Sequence, residues 1–292
     1  MMRREVLPDA GGGRSLWADA GRRLLANRAA TASAIILLLL TVAVIIGPML
    51  LPWEYDVIDW EHIAEGPSAS HWLGTDQIGR DLLVRLLEGG RISLMIGVVA
   101  TLVSLVIGIS WGAIAGYFGG KLDAVMMRIV DILYALPFMF FVILLMVFFG
   151  RNIFLMFVAI GAINWLDMAR IVRGQTLSLK RKEFVEAAIV TGAGPFAIIR
   201  RHIVPNLLGV VAVYVTLTIP QVILAESFLS FLGLGVQEPQ TSWGALVNDG
   251  AQVMETMPWL LIAPALTLAV TLFCFNFLGD GLRDALDPKE QR

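Results

Sequence analysis

Apolar residues in this chain come in long, nearly unbroken runs separated by polar connectors. A helix requires about 20 apolar residues to cross a bilayer. Six runs approach that length, at 32–51, 92–116, 129–150, 153–171, 207–229 and 257–279. The fourth is interrupted by Asn164, Trp165 and Asp167. The third carries Asp131 near its start and Pro137 inside it, where the lost backbone hydrogen bond must be made good by packed neighbours. In the second, Gly108, Gly112, Gly116 and Gly120 recur every four residues. A stripe of that kind lets another helix approach closely. The pattern predicts an all-α membrane protein with six transmembrane helices.

The connectors carry structure of their own. Residues 15–28 are amphipathic: Trp17, Leu24 and Leu25 can enter the interface while Arg22, Arg23 and Arg28 meet anionic lipid. The glycines at 11–13 before them read as a flexible linker. The polar start, the length of the first run and the Pro52-Trp53 that follows it argue for a retained span rather than a cleaved signal peptide. Between the fourth and fifth runs, residues 183–190 are good helix formers, Gly192 and Gly194 supply a break, and Pro195 suits a first helical position. Phe196, Ile199 and Ile203 then fall on one face, and Pro205 is expected to end the segment.

Composition agrees with a lipid environment: the 292 residues are 57% hydrophobic and 16% charged, with a mean hydropathy of +0.76. Soluble domains sit near 45–50% apolar and about 25% charged. The net charge of −2 says little, but its distribution sets an orientation. With six spans, 18 of the 22 Lys and Arg residues fall on one side, in the N-terminal tail, at Lys121 and Arg128, between 170 and 201, and in the C-terminal tail. The other side keeps only Arg80, Arg85, Arg91 and Arg151 among many acids, including Asp59, Asp76, Asp81, Glu238 and Asp249. Excess Lys and Arg mark the cytoplasmic side, so both termini are expected there.

Catalytic chemistry is not legible. The sequence contains no G-x-x-x-x-G-K-[ST] phosphate loop and no Gly-x-Ser-x-Gly elbow. Cys274 stands alone in an apolar run and reads as a packing residue. His62, His71 and His202 show no metal-ligand spacing, so no metal is expected. Asp131, Asp167 and Glu226 lie near predicted span ends and are candidates for a translocation path, because acids within a membrane are costly unless used.

The connector at 180–206 carries the decisive motif. Glu186-Ala187-Ala188, then Gly192, then Ile203-Val204-Pro205 resemble the EAA loop of ABC importer permeases. Where that family ends in Ile-x-Leu-Pro, this chain has His202 and Val204 at the Ile and Leu positions. Trp72-Leu-Gly-Thr-Asp-Gln-Ile-Gly-Arg-Asp81, Gly90-Arg-Ile-Ser-Leu94, Leu229-Ser-Phe-Leu-Gly-Leu-Gly235, Ser242-Trp-Gly244 and Asn276-Phe-Leu-Gly-Asp-Gly-Leu-Arg-Asp-Ala-Leu-Asp-Pro288 resemble the dipeptide, oligopeptide and nickel branch. Trp165-Leu-Asp-Met-Ala-Arg170 and its continuation to Glu183 resemble the oligopeptide members. The likeness runs from about residue 13 to 288.

That resemblance implies a type I ABC importer permease fold with an N-terminal interfacial helix and a cytoplasmic coupling helix. It divides the chain into a tail with the interfacial helix (1–31), a first span and extracytoplasmic loop (32–91), a five-helix core (92–288) containing the coupling loop (180–206), and a short tail (289–292). The implied partners are a homologous second permease, two ATPase subunits that hold ATP and Mg, an extracytoplasmic peptide-binding protein, an oligopeptide substrate and membrane lipid, with no nucleic acid and no cofactor in this chain. The implied location is a bacterial inner membrane. Coupling is carried to Glu186, Ala187, Ala188, Gly192, Ile203 and Pro205, with Glu186 making a polar contact near the turn and Gly192 allowing a bend that a Cβ would hinder.

Overall fold

The computed structural model describes residues 16–149 and 153–286. Arg3, Arg4, Arg14, the linker at 11–13, Arg151 and the tail at 289–292 lie outside the described residues. The described chain holds eleven α-helices and no β-strand.

Helix α1 (Leu16–Ala26) meets α2 (Arg28–Leu50) at Asn27, whose Oδ1 accepts from the amides of Ala29 and Ala30 at 3.1 and 3.2 Å. An asparagine in this place satisfies donors that a new helix would otherwise leave free. After a long loop, α3 (Leu82–Phe118) begins at an Asp81 cap, with the Val84 amide donating to Asp81 Oδ1 at 2.9 Å. At 37 residues α3 is about 55 Å long and forms the spine of the molecule. Next come α4 (Gly120–Ala135), α5 (Phe138–Phe149) and α6 (Ile153–Leu179). The short α7 (Glu183–Val190) and α8 (Pro195–Ile198) follow, then a π-helical turn at Ile199–Ile203 and α9 (Val204–Phe231). The chain closes with α10 (Trp243–Gln252) and α11 (Trp259–Leu286).

Glycines set how α3 meets α6. A Cβ on Gly108 would stand 2.6 Å from Met168, one on Gly112 would collide with the Ala169 carbonyl, and one on Gly116 would stand 2.8 Å from Thr176. Positions rise together along both helices, so α3 and α6 run parallel in close backbone contact. Gly120 is not part of this stripe: it has φ +57, nothing lies within 4 Å of its Cβ position, and it opens α4.

Since α3 and α6 are parallel, α4 and α5 must carry the chain back between them. The expected continuous helix at 129–150 is broken there. Leu136 has ψ 132, and α4 ends before it. Pro137 is the cause, since a proline pushes the residue before it out of the helical region. Helix α9 runs antiparallel to α3: Ile219 and Ile223 face Gly97, whereas Leu207 and Val211 pack near Ala113. Helix α11 runs antiparallel to α2, with Gly281 against Ala30 at one end and Leu260 in a cluster with Val44 at the other.

Four of the described helical stretches are long and apolar enough to cross a membrane: Arg28–Leu50, Leu82–Phe118, Pro195–Phe231 and Trp259–Leu286. The third is continuous through Pro205, which corrects the expectation that this proline ends a segment. Pro205 follows directly on the π-helical turn at Ile199–Ile203, whose wider hydrogen-bond spacing lets the helix run past its missing amide.

Candidate functional site

The connector between α6 and α9 folds as a helical hairpin at the C-terminal pole of α3. Its turn is made by glycine. Gly192 has φ +83, a left-handed conformation that costs other residues about 1–2 kcal/mol. The Gly192 amide donates to the Ile189 carbonyl and the Ala193 amide to the Ala188 carbonyl, both at 3.0 Å. This is the Schellman arrangement, which closes the open carbonyls of α7 and reverses the chain toward Pro195.

One face of the hairpin is fastened to the bundle. Val185, Ala188, Ile198, Ile199 and Ile203 are buried with Ala113, Met168, Val172 and Leu207. Around this cluster, polar groups tie neighbouring ends together. Lys180 Nζ donates to the Gly116 and Tyr117 carbonyls at 3.0 and 3.3 Å, satisfying the last turn of α3. Arg173 on α6 grips Asp123 of α4 with both arms of its guanidinium, the Nη2 arm at 2.7 Å.

The other face is open. Glu186, Ala187, Gly192 and Pro205 are exposed, whereas Ala188 and Ile203 are core residues. Beside Glu186 and Gly192 stand Ile189, Val190 and Phe196, with Val190 86% and Phe196 70% exposed. The expected single face of Phe196, Ile199 and Ile203 therefore splits. Phe196 reaches outward to the Phe118 ring, with centroids 6.0 Å apart, and Ile198 takes the inward place. The π-helical turn at 199–203 shifts the register that a 3.6-residue period assumes. The outward apolar group was missed in the sequence. Its only signal was Val190, which falls off the Val185–Ala188 stripe of α7; Ile189 falls on that stripe by spacing, yet is exposed.

The three candidate acids are not brought together. Asp131 on α4 is exposed and accepts from Arg170 Nη2 at 2.8 Å, while Arg170 also covers the Tyr134 ring at 4.3 Å. Asp167 is half-buried on α6. Glu226 is fully buried, where Ser230 donates to its Oε1 at 2.6 Å and Ser93 to its Oε2 at 3.4 Å. Ser93 also accepts from the Trp243 amide at 3.1 Å, and Ser242 caps α10 through the Ala245 amide. Glu226 thus pins α9 to α3 and α10.

The N-terminal pole of α3 is charged and irregular. Asp76 accepts from Arg80 Nε at 2.7 Å and Arg85 Nη1 at 3.0 Å, and Arg80 Nη2 reaches Glu238 at 2.9 Å. These residues and Asp249 line a cavity of about 230 Å³. Arg85 Nη2 is 3.8 Å from Asp249, beyond hydrogen-bond reach. Burial, then repulsion from Glu238, raises the Asp249 carboxyl from 3.8 to about 6. In the loop before α3, hydrogen bonds from His62 and the Glu61 amide hold Asp59 below its ordinary range, and Asp59 in turn raises His62.

Known proteins align with this architecture along nearly the whole chain. Residues 108–292 match the family model of binding-protein-dependent transport system inner membrane components, and residues 15–67 match the N-terminal TM domain of oligopeptide transport permease C. The oligopeptide transport system permease protein OppC of Escherichia coli (strain K12) is 63% identical over 281 residues, which is 96% of this chain and 93% of that protein. The OppC protein of Haemophilus influenzae is 60% identical over 96% of this chain and 90% of its own length. The dipeptide transport system permease protein DppC of Bacillus subtilis is 48% identical over 94% and 86%. A chain from a solved structure of the MetNI methionine ABC transporter in inward facing conformations superposes with a TM-score of 0.58 at 19% identity, covering 70% of this chain and 96% of that one. The fold is therefore that of an ABC permease, and the chain belongs to the binding-protein-dependent transport system inner membrane components, as a multi-pass, OppC-like permease.

Proposed function

We propose that this chain is one permease subunit of an ATP-driven oligopeptide importer and that its 180–206 hairpin is the coupling element. It is a non-catalytic membrane subunit. ATP and Mg belong to two ATPase subunits, a homologous permease supplies the other half of the path, and an extracytoplasmic protein delivers peptide. The observation that carries the coupling assignment is the two-faced hairpin. Its inner face is locked to α3 and α6, and its outer face offers Glu186, Val190 and Phe196 around a glycine turn with open space beyond it. A load on such an element moves the ends of both helices together.

The parallel packing of α3 and α6 supports six crossings, with α4 and α5 as one broken span and α6 as the next. Both termini and the hairpin then lie on the cytoplasmic side, in keeping with the Lys and Arg distribution. Helix α1 is assigned to the interface, where Leu25 is 70% exposed. The domain boundaries at 31, 91 and 288 follow from the same scheme. Asp131 and Asp167 are kept as path candidates, and Glu226 is assigned to holding α9 in place.

Proteoliposomes holding the full complex test this reading. Peptide uptake is expected to need both ATP and the ATPase subunits. Uptake by the purified chain alone would remove the importer assignment.

A further inference from the structure

The loop between α2 and α3 brings together two histidines that stand nine residues apart in sequence. His62 Nδ1 lies 2.8 Å and His71 Nε2 3.3 Å from the same atom, Asp59 Oδ2. One ligand atom from each residue can be chosen with all three within 4.8 Å of one another. A tetrahedral ion bonded at about 2.0–2.1 Å holds its ligand atoms about 3.3 Å apart, so the set is close to closing on one.

The outer nitrogens are oriented as well. His71 is fully buried, its Nδ1 is 2.9 Å from Asp81 Oδ2, and Trp53 stacks on its ring at 4.6 Å. His62 turns its Nε2 toward Glu65 Oε2 at 3.9 Å. Histidines that bind metals ordinarily give their other nitrogen to a carboxylate, which fixes the tautomer. If His71 donates Nδ1–H to Asp81, its Nε2 lone pair faces the Asp59 carboxylate inside the protein. A positive charge belongs between them. Two carboxylates, Asp59 and Asp81, match the charge of a divalent ion.

We infer that Asp59, His62 and His71 form a site for a borderline divalent metal, zinc by ligand type, with Asp81 as a positioning residue. Three protein ligands and an open side toward solvent, where the His62 side chain is 37% exposed, leave a fourth place for water. Nitrogen and carboxylate donors exclude a soft-metal site and disfavour calcium. The ion staples the loop to α3, because Asp81 both orients His71 and caps that helix.

The test uses the assembled complex, purified on a tag without histidine, stripped with a chelator and given zinc alone. Zinc content and melting temperature are compared with His62→Ala and Asp81→Asn complexes. Asparagine keeps the helix cap but removes the carboxylate. Wild type is expected to hold about one more zinc ion per complex than His62→Ala and to melt higher with zinc, while Asp81→Asn binds about 10–100-fold more weakly. Equal zinc content in wild type and both variants, or no zinc-dependent rise in melting temperature, overturns the site and leaves His71 simply hydrogen-bonded between two carboxylates. Either result leaves the transport assignment untouched, because the site lies at the opposite pole of α3 from the hairpin.

Discussion

At the scale of single residues, the α3 N-terminal pole shows what a sequence hides. Asp249 reads as one acid among many, and only the fold sets it beside Glu238 and Asp76 at the rim of a cavity. Its raised carboxyl fixes a sign. Between 3.8 and about 6 the folded protein holds a proton that the unfolded chain has released. The stability tied to this group is therefore present below 3.8 and lost as pH rises through about 6. Asp249→Asn is expected to lessen that fall, read as a smaller drop in melting temperature than wild type between about pH 5 and 7. An unchanged drop would mean that Asp249 is solvated like a surface acid. The same blindness applies to His62 and His71. Their spacing matches no metal motif, yet the turns of the loop bring their rings to 5.5 Å. Gly192 is the opposite case: its place after a good helix and before Pro195 announced a chain reversal, and the positive φ follows.

At the scale of elements, the sequence was most legible where one physical rule dominates. Helix α7 spans Glu183–Val190, as its composition and the following glycine imply. The Gly108, Gly112 and Gly116 stripe packs as its spacing implies, against α6. It was least legible where two rules compete. Pro137 breaks one apolar run, whereas Pro205 begins another and Pro220 and Pro264 sit inside helices. Sequence cannot tell whether neighbours compensate for a proline, because the compensation is tertiary. The π-turn at Ile199–Ile203 likewise displaced Phe196 from its expected face. Gly112→Ala tests the α3–α6 contact. Its Cβ meets a backbone carbonyl that cannot rotate away, so the complex in detergent is expected to lose about 1–3 kcal/mol of stability. Gly174→Ala, inside α6 with nothing within 4 Å of its Cβ position, is expected to keep stability or raise it by up to about 1 kcal/mol in the same melting assay. Equal behaviour of the two would contradict the close approach.

At the scale of the whole molecule, α3 joins two unlike poles about 55 Å apart. One is a charged loop region knit by Asp76, Arg80 and Arg85. The other is the hairpin, fixed inside by Val185, Ile198 and Ile203 and open outside at Glu186, Val190 and Phe196. Under the proposed assignment, the spine links the loop pole to the hairpin proposed to meet an ATPase subunit. The glycine turn of the hairpin was legible in the sequence; the fastening of the hairpin was not, since it depends on which isoleucines turn inward.

The most direct measurement compares ATP hydrolysis with peptide uptake in the reconstituted complex bearing Gly192→Asp. Aspartate tolerates a left-handed backbone better than most residues, and nothing within this chain lies within 4 Å of the new Cβ. The complex should therefore assemble, and only a docked partner should feel the side chain. Hydrolysis is expected to continue while uptake falls about 5–150-fold, the loss of a coupling free energy of about 1–3 kcal/mol. Uptake at the wild-type rate by an assembled Gly192→Asp complex would contradict the assignment of the hairpin as the coupling element.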